Sequence, residues 1–121
     1  MRLEVRQQEE AERHNGGMPR LVAASSDMPL NAARAQRAIA ATTRLEVLHY
    51  LLNNPASTVN EIVIGSKLAK ETVRAALEEL EETYVSGTVE RGKRRGRHVT
   101  FTVDRSTLAQ DLGALSAYLL G

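Results

Sequence analysis

The chain has no cysteine and no tryptophan, which already excludes several classes of protein. Without cysteine there is no disulfide framework, no thiolate nucleophile and no Cys-based zinc site. The aromatic residues are Tyr50, Tyr84, Tyr118 and Phe101, too few for a sheet on which single-stranded or RNA bases stack. No apolar run approaches the ~20 residues that cross a bilayer. Met1 to Gln7 lack the apolar stretch of a secretory signal. Neither sign of charge dominates, because sixteen Lys and Arg stand against fifteen Asp and Glu, for a net charge of +1. What is present is 121 residues, 42% of them apolar and 26% charged. That is room for one soluble domain with a packed core and a tail, expected in the cytoplasm and away from any membrane.

The near-neutral total hides a segregation along the chain. Glu78, Glu79, Glu81 and Glu82 make an acidic block, and Arg91, Lys93, Arg94, Arg95 and Arg97 then put five cations into seven residues. At the other end, Gln7 to Arg13 is a polar stretch with too few apolar residues to pack. His14-Asn15-Gly16-Gly17-Met18-Pro19 and Ser25-Ser26-Asp27-Met28-Pro29 break any helix there. Residues 1–28 are therefore expected to be a flexible N-terminal arm, and residues 29–121 the folded domain.

From Pro29 the helical signals are dense. Asp27 can cap a first helix through the Ala-rich segment Asn31 to Ala41. Thr43 with Glu46 matches a capping box, and Leu45, Leu48 and Leu52 recur at helical spacing until Asn53-Asn54-Pro55. Thr58 with Glu61 is a second capping box, opening a short helix through Ile62 and Ile64. A further helix is predicted from about Ala69 to Thr83, with Val73, Leu77, Leu80 and Tyr84 along one stripe. The period then changes: Val85 to Arg91 and Arg97 to Val103 alternate as strands do. Gly92-Lys93-Arg94-Arg95-Gly96 lies between them, so the pair reads as a β-hairpin. A last helix from about Ser106 carries Leu108, Leu112, Leu115 and Leu119. The expected class is mainly α with a small β-hairpin (α+β), in the order α-α-α-α-β-β-α.

Two short helices, a turn, and a third helix feeding a basic hairpin describe a winged helix-turn-helix. Thr58-Val59-Asn60-Glu61-Ile62-Val63, followed by Leu68-Ala69-Lys70-Glu71-Thr72-Val73-Arg74-Ala75-Ala76-Leu77-Glu78-Glu79-Leu80-Glu81-Glu82, resembles the helix-turn-helix of small bacterial winged-helix regulators. The MarR, ArsR and GntR groups share a similar pattern. In them a small apolar residue fills the position of Val63, and Thr-Val opens the recognition helix as Thr72-Val73 does here. The resemblance covers roughly residues 43 to 103. Those groups usually carry Leu-Gly in the turn, where this chain has Ser66-Lys67 after Gly65. That departure implies either an earlier end to the second helix or a longer turn.

The resemblance implies a sequence-specific regulator of transcription, expected as a repressor that binds an inverted repeat of double-stranded DNA as a homodimer. The recognition helix would span about residues 69–83 and the basic wing about 85–103. With Val73, Leu77 and Leu80 facing the core, Lys70, Glu71, Thr72 and Arg74 fall toward the other side, with Lys67 in the turn before them. Arg74 can pair bidentately with guanine, Lys70 can reach guanine or phosphate, and Thr72 can bond phosphate or touch a thymine methyl. Glu71 can accept from cytosine or pair with a neighbour. Arg91, Lys93, Arg94, Arg95 and Arg97 would meet the backbone or enter a minor groove from the hairpin tip. The acidic block cannot lie against phosphates, so the N-terminal half of the helix is the half expected to enter the groove. Leu108, Leu112, Leu115 and Leu119, widened by Tyr118 and Leu120, are expected at the dimer interface.

Other signals are weak. Gly87 to Lys93 matches the first seven positions of a phosphate-binding loop, but Arg94 stands where Ser or Thr must hold magnesium, and a strand follows. His14, His49 and His98 are far apart, so no metal and no cofactor are expected. No Ser-His-Asp set or carboxylate pair stands out, and the chain is not expected to be an enzyme. Two rival readings use the same fold. A plasmid or phage partition adaptor would bind centromere-like tandem repeats, and a winged-helix protein-interaction module would have no duplex affinity. No ligand motif identifies a small-molecule effector.

Overall fold

In the computed structural model the described residues are 27–121, so the expected N-terminal arm lies almost wholly outside them. Helix α1 (Leu30–Ile39) buries Ala32, Ala35 and Ala38, small side chains at every third position that let another helix come close. It follows Pro29 at the N-cap, whose carbonyl accepts from Ala33 N at 2.9 Å. The helix begins one residue before the expected Asn31 and ends two before the expected Ala41. Ala41 is instead the extended residue that opens helix α2 (Thr42–Asn53). This also removes the Thr43–Glu46 capping box, because Thr43 already lies within the helix. The buried residues of α2 are Val47, Leu48 and Leu51, while Leu45 is exposed.

At the end of α2 the amides of Asn53 and Asn54 donate to the carbonyls of His49 and Tyr50, at 2.9 and 3.0 Å. The Tyr50 carbonyl is among the last four that the helix itself leaves open. Helix α3 (Val59–Ser66) starts at the expected capping box. Thr58 Oγ1 accepts from Glu61 N at 3.2 Å, and Thr58 N donates to Glu61 Oε1 at 2.8 Å. Helix α4 (Lys70–Leu80) buries Val73, Ala76, Leu77 and Leu80, and Tyr84 continues the stripe just beyond it. These residues meet Val47, Leu48 and Leu51 of α2 and Ile62 of α3 in one core.

Strands β1 (Val85–Gly87) and β2 (Phe101–Val103) pair antiparallel, with Val85 opposite Val103 and Gly87 opposite Phe101. They are much shorter than the alternating pattern predicts. Beyond a bond from Thr88 N to Thr100 O at 3.0 Å the chain leaves the ladder. It then makes two turns in succession, closed by Lys93 N to Glu90 O and Arg97 N to Arg94 O. Gly92 and Gly96 supply the positive φ angles, +86° and +70°, that these turns require. On the other side of β2, Ser57 exchanges two backbone bonds with Phe101, which ties the α2–α3 connection to the hairpin.

Helix α5 (Arg105–Leu120) is capped by Asp104, which accepts from Thr107 N at 3.1 Å. It packs along α1, and its buried residues are Leu108 and a carboxylate, Asp111, which the expected leucine stripe does not include. Asp111 is 2% exposed. Its Oδ2 accepts from Arg34 Nε at 2.7 Å and from the Tyr84 hydroxyl at 2.6 Å, and its Oδ1 accepts from Arg34 Nη2 at 3.0 Å. The Arg34 guanidinium holds the Asp111 carboxyl below the usual carboxylate range. Burial, with help from Asp111, pushes the Tyr84 phenol up to about 12. Among the described residues no helix is long and apolar enough to cross a membrane.

Replacing Asp111 by Ala leaves the Tyr84 hydroxyl buried without an acceptor. The expected loss is about 2–3 kcal/mol, at or below the low end for a buried pair because half-exposed Arg34 regains water. Thermal unfolding should fall by roughly 10 °C or more. The pH dependence has two limbs of known sign. The carboxylate, depressed in the fold, contributes at neutral pH and is lost only as pH falls below the carboxylate range. The phenol, raised in the fold, contributes below pH ~10 and is lost as pH rises through about 12. Tyr84→Phe should remove the alkaline limb in a pH series of thermal melts.

Candidate nucleic-acid interface

Helix α3 does not end early. It runs through Gly65 to Ser66 and stops at Lys67, which adopts the left-handed conformation at φ 63°. Lys67 N donates to Val63 O at 2.9 Å, and Ser66 Oγ accepts from Leu68 N at 3.2 Å, so the turn is closed by its own polar groups. The left-handed residue that glycine commonly supplies is here a lysine. Gly65 serves a different need: a Cβ there would lie 2.0 Å from Tyr50 Cε1, so its absence lets α3 rest on the α2 tyrosine.

On α4 the exposed residues include Lys70, Glu71 and Arg74, with Thr72 half-buried. Lys70 and Arg74, one turn apart, open on a groove of about 900 Å³ between the start of α3, α4 and the hairpin. Arg97 and His98 line its hairpin wall, and Glu61 and Glu78 also border it. Glu61 is engaged in the capping box. Glu78, Glu79 and Glu82 are exposed toward the other end of α4. Of these acids only Glu78 borders the groove, where Arg91 and Arg94 also reach.

The five hairpin cations divide into distinct groups. Arg94 turns inward, with its side chain 24% exposed. Its Nη2 and Nη1 donate to Glu81 Oε1 and Oε2 at 2.6 and 3.0 Å, and its Nε donates to Val89 O at 2.7 Å. Its guanidinium also stands 5.2 Å from the centre of the Phe101 ring. Arg91 is more loosely held, with Nε 3.5 Å from Glu81 Oε2 and Nη2 on the Glu78 carbonyl. Lys93 pairs with Glu90 at 3.3 Å, but both are largely exposed and such a pair contributes little. Arg95 and Arg97 are exposed, and among the described residues their side chains form no ion pair.

Glu81 is the residue that the sequence reading passed over as one member of an acidic block. Arg94, reinforced by Arg91, holds its carboxyl below the usual range against the opposing effect of burial. A signal was present, since Glu81 falls one helical turn after Leu77 and so at the margin of the buried stripe.

The leucine stripe of α5 also divides. Leu108 belongs to this chain's own core, which leaves it no side to offer a partner copy, and Leu115 is half-buried. Leu112 and Tyr118 are partly exposed, and Leu119 and Leu120 are 70% and 85% exposed. No protein-family model matches the chain, and no curated protein matches it significantly.

Lys67→Gly separates backbone conformation from charge. Relief of the left-handed strain should stabilise the fold by about 1 kcal/mol, read as a rise in the thermal midpoint. Lys67→Ala should give no such rise, because alanine meets the same penalty.

Proposed function

We propose that the chain is a winged helix-turn-helix regulator of transcription that binds double-stranded DNA sequence-specifically, acting as a repressor. What carries the reading is that Lys70 and Arg74 of α4 open on the same groove as Arg97 of the basic hairpin. A helix offering its N-terminal turns to base edges, beside a hairpin offering cations to the flanking backbone, has the geometry of major-groove recognition. Arg74 would read guanine, Lys70 guanine or phosphate, and Thr72 a phosphate or a thymine methyl. The exposed acids at the far end of α4 set the orientation, since phosphate repels them. Arg95 and Arg97 are the hairpin cations best able to meet DNA, because neither is engaged by an acid.

A homodimer on an inverted repeat is the assembly that suits this reading. The exposed apolar residues toward the end of α5, Leu112, Tyr118, Leu119 and Leu120, are the side chains available to it. Selection of bound sequences from a random duplex library tests the whole proposal. It should recover two half-sites about 10 base pairs apart. Tandem repeats would indicate a partition adaptor instead, and no enrichment at all an interaction module.

Arg74→Ala should relax base preference at one position of each half-site. A lost bidentate contact removes about 1–3 kcal/mol of discrimination there. The comparison is the library motif recovered with and without the substitution, and an identical motif would remove Arg74 from base recognition.

Replacing Leu112 and Leu119 by Glu should dissociate the dimer while leaving the monomer folded, because neither is buried in the core. Sedimentation at micromolar concentration distinguishes the two states, and circular dichroism checks the fold. A wild type that is monomeric both alone and on DNA would overturn the assembly.

A further inference from the structure

Two of the five hairpin cations, inward-turned Arg94 and the more exposed Arg91, pair with the same carboxylate. Glu81 sits at the end of α4, where the helix dipole disfavours an acid, yet its side chain is only 11% exposed. Carboxylate and phosphate offer a guanidinium the same bidentate geometry. A phosphate seeking Arg94 would have to displace both Glu81 bonds, the Val89 carbonyl bond and the Phe101 ring contact.

We infer that Glu81 is an internal stand-in for phosphate: a positioning residue that keeps Arg94 off the duplex and fixes the hairpin against α4. The inference rests on the duplex-binding reading and deepens it. It makes the contacts of the hairpin selective by withholding charge. A hairpin with every cation free would gain affinity for any duplex through counterion release. One that is pinned to α4 presents Arg95 and Arg97 at a fixed distance from Lys70 and Arg74. Arg91, with a longer pair and a side chain 46% exposed, is held more weakly by the same carboxylate.

The test uses the full chain and Glu81→Gln, which keeps the shape and removes the charge. Affinity for a random-sequence duplex and for the library-selected site is measured across a salt series. In the variant the log-log salt slope for random duplex should steepen by about 0.9 for each guanidinium released. Random-duplex affinity should rise, and the ratio of selected to random affinity should fall tenfold or more. Arg94→Ala alone should leave the wild-type slope unchanged, and added to Glu81→Gln it should cancel the steepening due to Arg94. A loss of fold would weaken both affinities without steepening the slope. If circular dichroism shows Glu81→Gln unfolded, Arg94→Lys carries the same test, because it keeps the charge and loses the fork. An unchanged slope in the folded variant, or a slope made shallower by Arg94→Ala alone, overturns the inference.

Limited trypsin digestion reads the anchor without DNA. Cleavage after Arg91, Lys93 and Arg95 should speed up severalfold in Glu81→Gln while the helices stay intact. Unchanged cleavage overturns the anchor. A wild type with no duplex affinity overturns the duplex reading and with it the withholding of Arg94, whereas accelerated cleavage would still establish the anchor.

Discussion

A single buried carboxylate sets how the helical layers of this protein fit together. Asp111 of α5 accepts two bonds from Arg34 of α1 and one from Tyr84, just beyond α4. Burying a charge without partners costs several kcal/mol, so α5 is stable against the rest only in the register that delivers both donors. Apolar contacts between α1 and α5 do not supply that precision by themselves. Alanines pack closely but slide past one another, because they offer neither a knob of distinctive shape nor a directional bond. The three hydrogen bonds convert a smooth helix pair into a defined one.

Tyr84 carries that constraint toward the candidate interface. Its carbonyl accepts from Asp104 N at 2.7 Å, so the residue is held at both ends, by side chain and by backbone. Glu81, three residues earlier, holds the hairpin through Arg94. The short segment after α4 is thus pinned by one ionic network to α1 and α5 and by another to the hairpin. Ser57 adds a third restraint through its two bonds to Phe101, beside the ring that Arg94 covers. A hairpin with only three paired residues in each strand would be marginal alone. Here its position relative to α4 is set by side-chain bonds rather than by a long ladder.

The periodic features were legible in the sequence, and the polar partners were not. Val73, Leu77, Leu80 and Tyr84 form one buried stripe, and the Thr58–Glu61 box closes as its spacing requires, because both depend on contacts within a few residues. The Thr43–Glu46 box failed because the N-cap is Ala41, two residues earlier, and capping needs the threonine outside the helix. The paired strands are shorter than the alternation because the chain leaves the ladder after Thr88 and enters two turns, Glu90 to Lys93 and Arg94 to Arg97. Arg34 and Asp111 stand 77 residues apart, and no local pattern pairs them. Asp111 lies between Leu108 and Leu115 at helical spacing, yet the leucines alone drew the reading of that helix. Lys67 shows the reverse: a glycine expected from resemblance was absent, yet the backbone took the left-handed conformation without it.

The net charge of +1 misstates what a ligand would meet, because burial and pairing select which charges act outward. Half-exposed Arg34 is neutralised by buried Asp111, and Arg94 and Glu81 neutralise each other in the wall of the groove. Outside these pairs, Lys70 and Arg74 stand with Glu71 in the first turns of α4, and Glu78, Glu79 and Glu82 lie toward its end. A field so divided orients an approaching polyanion before any specific contact forms. Under duplex binding it would also limit how much of α4 can lie in a groove, since Glu78, Glu79 and Glu82 would come against phosphate. On the proposed reading, the segregation of charge along the sequence becomes a restriction on docking geometry: the N-terminal turns of α4 enter, the acidic end stays outside, and the hairpin meets the duplex from the side where its unpaired arginines lie.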